Sequence, residues 1–423
     1  MSNPLGPHIP EADLTALAEP STTVSRVWVT WLSVISIGVW CGFYGPIQVL
    51  LAQQAEVINP AHKEVTLSLV TGVGAFVSVF LNPLWGAFSD RTVLRMGRRL
   101  PWVLGGLVTG VVAMIMLSTA HSVLMMVLGW SLAQAGLNAM LAAITATVPD
   151  QVPTRQRGGV GGWLAVAQTL GIVAGSGAAA ATGSIAAGYL ALAAVLVVFS
   201  LPYCFDSRDL ALDPEDRQPF VLGRFVRSFW VSPRAEPDFA WAWITRFLMN
   251  LGTALLLLYL LYYLKEAINL TDAEAEDGVF VLTVIFGVCT VVTAIVGGIW
   301  SDRLGKRKVF VIASGLVAAA ALALLAFVST WTGAVVGTVV LGVGYGIYTA
   351  VDFAMITEVL PKAEDRAKDL GVINIANALP QVLAPGVAAA ILGLGLGYST
   401  LYLVAAAVSV LGSWLVVNIK SLP

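Results

Sequence analysis

Long apolar runs, each interrupted by glycine, proline or a cluster of charges, recur along the whole chain. A bilayer core of about 30 Å is crossed by roughly 20 apolar residues in a helix. The runs are of that length, so the pattern predicts twelve membrane-spanning helices. Their predicted bounds are 27–51, 66–89, 101–120, 122–148, 159–182, 184–205, 240–264, 279–300, 309–329, 332–360, 370–394 and 396–418.

The composition supports this interpretation. Hydrophobic residues make up 58% of the 423 positions, charged residues make up 11%, and mean hydropathy is +0.84. A soluble globular protein carries about 25% charged residues, so a cytosolic enzyme, a secreted disulfide scaffold and a disordered chain are excluded. The net charge of -2 gives no field for nucleic acid, so we expect a lipid bilayer and no nucleic acid as partner. Cys41, Cys204 and Cys289 have no paired spacing and predict neither a disulfide nor a metal site.

Lysine and arginine concentrate on one side of the predicted spans. Of 23 basic residues, 21 fall in segments on the same side as the two termini, and only Lys63 and Lys265 fall on the other side. Short loops rich in lysine and arginine stay in the cytoplasm. We therefore expect a multi-pass protein of the plasma (inner) membrane with both termini in the cytoplasm.

The longest polar stretch divides the spans into two blocks of six. The predicted organisation is a cytoplasmic N-terminal tail, a first six-helix bundle, a cytoplasmic central loop, a second six-helix bundle and a C-terminal tail. These segments cover 1–26, 27–205, 206–239, 240–418 and 419–423. The fold class is an all-α membrane protein with twelve transmembrane helices in two pseudo-symmetric bundles.

An internal repeat supports that division. Matching dipeptides and motifs recur at one offset of 212 residues, at the ends of spans two and four and at the start of span five. The matches are Gly86-x3-Asp90-Arg91 with Gly298-x3-Asp302-Arg303, Val148-Pro149 with Leu360-Pro361, and Gly159-Val160 with Gly371-Val372. A duplicated six-span unit is typical of transporters that rock two halves around a central site.

The repeated motif lies in the turns that follow spans two and eight. Each copy has a glycine that allows close helix approach, an aspartate at a helix end, and basic residues in a tight turn. Such a turn can serve as a breakable latch at the cytoplasmic side, or simply as a solvated basic turn that fixes topology. Its residues are Gly86, Asp90, Arg91, Gly97, Arg98 and Arg99, and Gly298, Asp302, Arg303, Lys306 and Arg307.

At this motif the chain resembles the major facilitator superfamily, whose signature is Gly-x3-Asp-Arg-x5-Gly-Arg-Arg after span two. The resemblance covers nearly the whole chain. Ser89-Asp90-Arg91 with Gly97-Arg98-Arg99-x-Pro101, and the run from Asp365 to Gln381, are similar to the branch of sucrose and glycoside–pentoside–hexuronide cation symporters. The resemblance implies that spans one, four, seven and ten line a cavity, with help from five and eleven.

Polar and aromatic side chains recur at helical spacing on five of the spans, so that each set shares one face. A shared wet interior would explain them, because polar groups inside hydrocarbon are costly. Interhelical hydrogen bonds for the amides, and ordinary packing for the aromatics, are the alternatives. The candidates are Trp40, Tyr44 and Gln48; Gln134 and Asn138; Arg246, Asn250 and Thr253; Tyr345, Tyr348 and Asp352; and Asn374, Asn377 and Gln381.

Asp352 is the acidic residue placed deepest in a span, nine positions before Pro361. A rise of about 1.5 Å per residue puts it well inside the bilayer, where a charge must be paired or hydrated. Three roles are open: proton coupling, acceptance of substrate hydroxyl groups, or a counter-ion to Arg246. We predict that Asp352 projects into the hydrated chamber between the halves.

Amide, phenol and indole groups around one carboxylate suit a neutral polyhydroxyl ligand. The predicted function is secondary active transport by alternating access, as proton-coupled symport of a sugar or glycoside. The alternative is a proton-coupled exporter of a drug-like or metabolite compound, and a third possibility is a receptor that keeps the fold without transporting. The sequence has no phosphate-binding loop and no catalytic triad motif, so we expect no enzyme activity and no cofactor. The expected partners are a small-molecule substrate and a coupling proton, and the expected state is a monomer.

Overall fold

The computed structural model describes residues 20–207, 209–217, 219–223, 225, 234, 236–359 and 366–420. Within these residues, twelve helices are long and apolar enough to cross a membrane, which confirms the predicted all-α fold class. We number them α1 to α12 in chain order. Their bounds are Arg26–Ile58, Lys63–Ser89, Leu100–Ser118, Val123–Gln151, Thr154–Ala180, Ile185–Phe205, Pro237–Glu266, Asp272–Leu304, Arg307–Phe327, Trp331–Val359, Arg366–Gly393 and Gly397–Leu415.

Short polar side chains set several helix starts. Ser25, Ser122 and Ser184 each accept a hydrogen bond from a backbone N–H in the first turn of the following helix. At α8, Thr271 and Glu274 bond reciprocally to each other's backbone, which extends the helix seven residues before the predicted start at 279. The hydrophobic run marks only the part of α8 inside hydrocarbon, whereas the capped polar turns continue the helix beyond it.

The two halves repeat the same helix packing. In the first half, α1 packs on α5 and α6, α4 packs on α2 and α3, and α3 packs on α6. In the second half, α7 packs on α11 and α12, α10 packs on α8 and α9, and α9 packs on α12. Each pair is thus reproduced six helices later. The halves meet through α2 against α11 and α5 against α8, a symmetric pair of interfaces.

All helices run between two ends of the molecule, which we name by a residue at each. The Asp90 end carries the turn between α2 and α3. The Glu56 end carries the turns between α1 and α2 and between α7 and α8. In the predicted orientation the Asp90 end faces the cytoplasm.

Candidate functional site

A cavity of about 750 Å³ lies between the two halves at the middle of the helices. α1, α5, α7, α8 and α10 form its walls, which combine leucine, isoleucine, valine and phenylalanine with hydroxyl and amide groups. None of its described lining residues is charged. Such walls suit an uncharged solute that both forms hydrogen bonds and contacts apolar surface. The polar and aromatic lining residues include Tyr44, Gln48, Trp163, Gln168, Thr169, Thr253, Thr283, Thr290, Thr338, Tyr345 and Thr349.

A π-helical turn over Pro46–Leu50 shapes the α1 wall. Proline has no backbone N–H to donate within a helix, and π turns inside α-helices occur frequently at functional sites. Gln48 lies in this turn and is 3% exposed. Its Oε1 accepts a hydrogen bond from Thr283 Oγ1 of α8 at 3.4 Å, so an amide on the cavity wall joins the two halves.

A charged cluster lies behind the α7 and α10 walls. Arg246 Nη1 is 2.9 Å from Asp352 Oδ2, and Arg246 Nε donates to Asn377 Oδ1 at 2.6 Å. Asn250 Nδ2 donates to the same Asn377 oxygen at 3.2 Å, and Tyr345 Oη donates to Asn250 Oδ1 at 3.5 Å. Tyr345 lines the cavity, so a chain of polar side chains connects the cavity wall to the buried carboxylate.

The carboxylate of Asp352 does not project into the cavity as predicted. Asp352 is 3% exposed and is not among the described residues that line the cavity. A buried carboxylate needs a partner, and the guanidinium of Arg246 holds it behind the wall. Asp352 Oδ1 and Tyr348 Oη, about one helical turn apart, are both buried and interact with each other, but neither makes a hydrogen bond of good geometry with a described residue. Asp352 Oδ1, which is not the oxygen paired with Arg246, is therefore the position at which this carboxylate could take a proton.

The charged cluster belongs to the second half only. At the repeat offset of 212, Arg246, Asn377 and Asp352 correspond to Val34, Ala165 and Met140. The cluster of Arg246, Asn377 and Asp352 therefore has no polar counterpart at the equivalent positions of the first half.

Gln134 and Asn138 are absent from the described cavity wall, and Asn138 joins α4 to α2 inside the first half. Asn138 Oδ1 accepts hydrogen bonds from Ser78 Oγ and Asn82 Nδ2 of α2, both at 3.1 Å. Asn138 Nδ2 donates to the Gln134 carbonyl at 2.8 Å. For Asn138 the structure supports the interhelical hydrogen bond, whereas Gln134 Oε1 accepts a hydrogen bond from Asn138 within α4 at 3.0 Å.

Trp40 packs against α5 instead of lining the described wall. A Cβ added to Gly171 would lie 2.6 Å from Trp40 Cβ, so the glycine creates the space for the close approach of the two helices. The Trp40 ring also lies 6.0 Å from the ring of Tyr44, which does line the cavity. Trp40 therefore supports the wall from behind.

On α11, Gln381 is exposed and does not line the described cavity, and the side chain of Asn374 lies outside the described residues. Of the helices expected to line the cavity, α4 and α11 contribute no residue to the described wall, whereas α5 does contribute. α8 also lines the wall and was not among the expected helices. Thr283 and Thr290, seven residues apart on α8, share the face that lines the cavity, and Gln168 lines it from α5. The helical spacing of the two threonines could have indicated their position in the wall, but threonine is common in apolar helices and did not stand out.

In the first copy of the turn motif, the charges are paired within the first half. Arg99 contacts Asp90 at 2.6 Å and Asp150 of α4 at 2.7 Å, and Arg98 contacts Asp150 at 2.6 Å. Burial alone would lower the pKa of the Arg99 guanidinium, but the two carboxylates outweigh it and its pKa is raised. This copy forms a network that ties α2, α3 and α4 together.

The central loop also docks on this turn. Asp209 Oδ2 accepts hydrogen bonds from the backbone N–H of Arg99 at 2.5 Å and of Leu100 at 2.8 Å, which caps α3. Burial raises the pKa of the Asp209 carboxyl, although these backbone donors oppose the shift. Gly97 has φ +101, and a Cβ there would overlap the Asp209 carboxylate. Glycine is therefore required at this position.

The glycine of the first copy does not behave as expected, and the second copy is described only in part. Among the described residues, nothing lies within 4 Å of a Cβ added to Gly86, so the expected close helix approach is not made in this conformation. In the second copy, Gly305 ends α8 in the left-handed region at φ +62, and Arg303 and Lys306 are exposed. The side chain of Asp302, and Gly298, lie outside the described residues. Arg307 begins α9.

The polar contacts between described residues of the two halves lie at the cavity or at the Glu56 end. Lys265 is 2.6 Å from Glu56, and Lys63 is 2.5 Å from Glu266. Tyr262 Oη donates to the Ala52 carbonyl at 2.8 Å. A further bond joins the hydroxyl groups of Ser68 and Tyr259. The Glu56 end is thus sealed by side chains that the sequence placed only in loops or at span ends.

The sequence profile of the Major Facilitator Superfamily matches residues 55–289 and 242–421. The chain therefore belongs to this superfamily and is a transporter in a lipid bilayer, not an enzyme. No curated protein matches the chain significantly.

Solved structures show the same fold at low sequence identity. A mutant of the nucleoside transporter NupG has a TM-score of 0.74 at 13% identity, over 93% of this chain and 100% of that chain. A POT family transporter in complex with a thioalcohol-conjugated peptide has a TM-score of 0.73 at 15% identity, over 92% of this chain and 95% of that chain. The human organic anion transporter MFSD10 (TETRAN) has a TM-score of 0.68 at 16% identity, over 92% and 99%.

Proposed function

We propose that the protein is a proton-coupled symporter of a sugar or glycoside that works by alternating access in the plasma (inner) membrane. The main support for this proposal is the cavity, whose described lining is uncharged and combines amide, hydroxyl and aromatic groups with apolar surface. The hydroxyl groups of a sugar would hydrogen-bond to the amide and hydroxyl groups of the wall, and its C–H face would contact the aromatic and apolar surface. The motifs shared with the sucrose and glycoside–pentoside–hexuronide branch support the same substrate class.

Proton coupling would operate through Asp352 and Arg246. A proton on Asp352 removes its negative charge and weakens its attraction to the guanidinium 2.9 Å away. Arg246 also holds Asn377, and Asn377 holds Asn250, which accepts from Tyr345 on the cavity wall. Protonation would therefore loosen a polar chain that ends where the substrate binds, and substrate binding would in turn alter proton affinity.

The sealed Glu56 end supports a conformation open toward the Asp90 end. With that end in the cytoplasm, the conformation is inward-facing. In the proposed cycle, the ion pairs at the Glu56 end break to admit substrate, and the paired Asp90 and Asp302 turns latch the opposite end. We propose that a monomer, with both termini in the cytoplasm, completes the cycle.

Export of a drug-like or metabolite compound is the second candidate. The leucine and aromatic part of the cavity wall, with Leu256, Leu260, Phe286 and Trp163, favours a lipophilic ligand. The absence of charge among the described lining residues favours an uncharged compound over a cation.

A thermal-stability screen with sugars, glycosides and lipophilic compounds, followed by flux assays in proteoliposomes, tests the proposal. We expect a sugar or glycoside to raise the melting temperature and to accumulate when the outside is made acidic. Stabilisation by lipophilic compounds alone, with proton-driven efflux, would support the exporter. Ligand binding without flux of any solute would indicate a receptor.

A further inference from the structure

A second recess, of about 640 Å³, lies at the Asp90 end under the central loop. The turn after α2, the start of α3 and the loop segment around Phe220 form its walls. The described lining residues are Phe88, Arg91, Thr92, Val93, Trp102, Arg217, Pro219 and Phe220. It is separate from the transport cavity, with which it shares no lining residue.

Two arginines face this recess without a carboxylate partner among the described residues. Arg91 donates from Nη1 to the Ala87 carbonyl at 2.5 Å, and its Nε is buried without a hydrogen-bond partner. Its guanidinium lies 5.5 Å from the ring centre of Phe220. Arg217 is exposed and makes no ion pair with a described residue.

Three carboxylates around the turn after α2 are already engaged elsewhere. Asp90 pairs with Arg99 at 2.6 Å, and Asp150 pairs with both Arg98 and Arg99. Asp209 accepts from two backbone N–H groups at the start of α3. Among the described residues, the positive charge of Arg91 and Arg217 therefore has no carboxylate partner in the recess and can bind an anion.

The position and the walls of the recess indicate which anion. Arg91 follows the end of α2 by two residues, and Trp102 is the third residue of α3, so both lie at the membrane–water boundary. Tryptophan is enriched at the headgroup level, and arginine is attracted to anionic lipid surfaces. The ring of Phe88 lies 6.2 Å from that of Trp102 and 5.2 Å from that of Phe220, and the three rings give the site an apolar side.

We propose that this recess binds the phosphate of an anionic phospholipid headgroup. Arg91 and Arg217 hold the phosphate oxygens, and the aromatic wall contacts the glycerol and upper acyl part. The lipid thereby links the turn after α2 to the central loop, which connects the two halves. This site is independent of which solute the protein carries.

The test measures lipid binding to the purified full chain, with phosphatidylglycerol in mixed detergent micelles and phosphatidylcholine as the zwitterionic comparison. We expect phosphatidylglycerol to raise the melting temperature saturably, and phosphatidylcholine to do so much less. Arg217→Gln should weaken binding and so raise the half-saturating phosphatidylglycerol concentration about tenfold, because one charge-assisted contact is lost. Arg95→Gln is the matched control, because Arg95 is an exposed arginine of the same turn that does not line the recess.

Native mass spectrometry of the same variants gives a second measurement that does not depend on melting. Retention of phosphatidylglycerol by the wild type and Arg95→Gln, and its loss from Arg217→Gln, supports the site. Equal retention by all three overturns it. Inorganic phosphate is tested last. If inorganic phosphate stabilises the protein as well as phosphatidylglycerol does, and displaces the lipid, the recess is a free-phosphate site and the lipid assignment is wrong.

Discussion

Lys265 Nζ of the second half lies 2.6 Å from Glu56 Oε2 of the first half. The other carboxylate oxygen of Glu56 lies 2.8 Å from Lys63, which itself pairs with Glu266 at 2.5 Å. Glu56 is therefore the acidic residue at which ion pairs from both halves meet. One substitution of Glu56 should therefore weaken the contact between the two halves at this end.

Glu56→Gln is expected to favour opening of the Glu56 end. Of the two ion pairs that Glu56 makes, only the one with Lys265 joins the halves. A partly exposed pair contributes about 0.2–1 kcal/mol, so its loss should shift the equilibrium about 1.4-fold to fivefold. The measurement is labelling of Thr290→Cys, in the cavity, by a membrane-impermeant maleimide applied from the Glu56 side. The native cysteines are replaced by serine in this background.

Asp272→Asn is the control for that shift. Asp272 also pairs with Lys265, at 2.9 Å, but belongs to the same half and has an 83% exposed side chain. We expect its labelling rate to match the parent protein. Equal labelling of the Glu56→Gln variant and the parent would show that the ion pairs do not hold the two halves together.

Gly97→Ala should destabilise the protein. The backbone has φ +101, and the new methyl group would meet the Asp209 carboxylate that caps α3. Strain of this kind costs about 1–3 kcal/mol. Gly105→Ala, on the neighbouring helix with no described atom within 4 Å of the added Cβ, should keep the parent melting temperature. A melting temperature for Gly97→Ala as high as that of Gly105→Ala would contradict the described docking of the central loop.

Gly86→Leu should separate stability from transport. The space around Gly86 is open in this conformation, so the variant should fold with nearly unchanged stability. If the Asp90 end closes by bringing α2 against the second half, the leucine side chain would block that closure and flux would fall at least tenfold. Gly105→Leu is the matched control, and transport by Gly86→Leu at the control rate would remove this glycine from the closing surface.

Gln48→Ala should weaken binding of the transported solute. Gln48 lines the cavity from the π turn, and loss of a hydrogen bond costs about 0.5–1.5 kcal/mol, or roughly twofold to twelvefold in affinity. Ligand-induced stabilisation measures the change. Gln168→Ala is a second cavity-wall substitution, whereas Thr145→Ala, on an exposed face of α4, is the control. Unchanged affinity of Gln48→Ala would place the substrate elsewhere.

The helices could be predicted from the sequence because bilayer thickness fixes their length. The repeat offset likewise anticipated the pairing in which α1–α5 packing recurs as α7–α11. Helix ends outside hydrocarbon were missed where capping continues the helix, as at Thr271 and Glu274. Hydropathy responds to side-chain polarity, whereas these turns are held by local hydrogen bonds.

The site was predicted less completely than the fold. Tyr44, Gln48 and Tyr345, chosen by helical spacing, line one cavity, and their role in binding stays a prediction. Helical spacing could not tell Asn138, bonded to α2, from a ligand-facing amide. Spacing within one helix says which residues share a face, not which neighbouring helix that face meets. The same reason left the pairing of Arg246 with Asp352 open, since it depends on the distance between α7 and α10.

The central claim is that Asp352 couples protons to solute movement through Arg246. The most direct measurement compares accumulation under an imposed pH gradient with exchange at equal pH, in proteoliposomes containing the parent protein or Asp352→Asn. Asparagine preserves the side-chain shape and can still accept a hydrogen bond from Arg246, and retained ligand-induced stabilisation confirms folding. Asp352→Asn should lose gradient-driven accumulation and keep exchange. Undiminished accumulation by Asp352→Asn would contradict it.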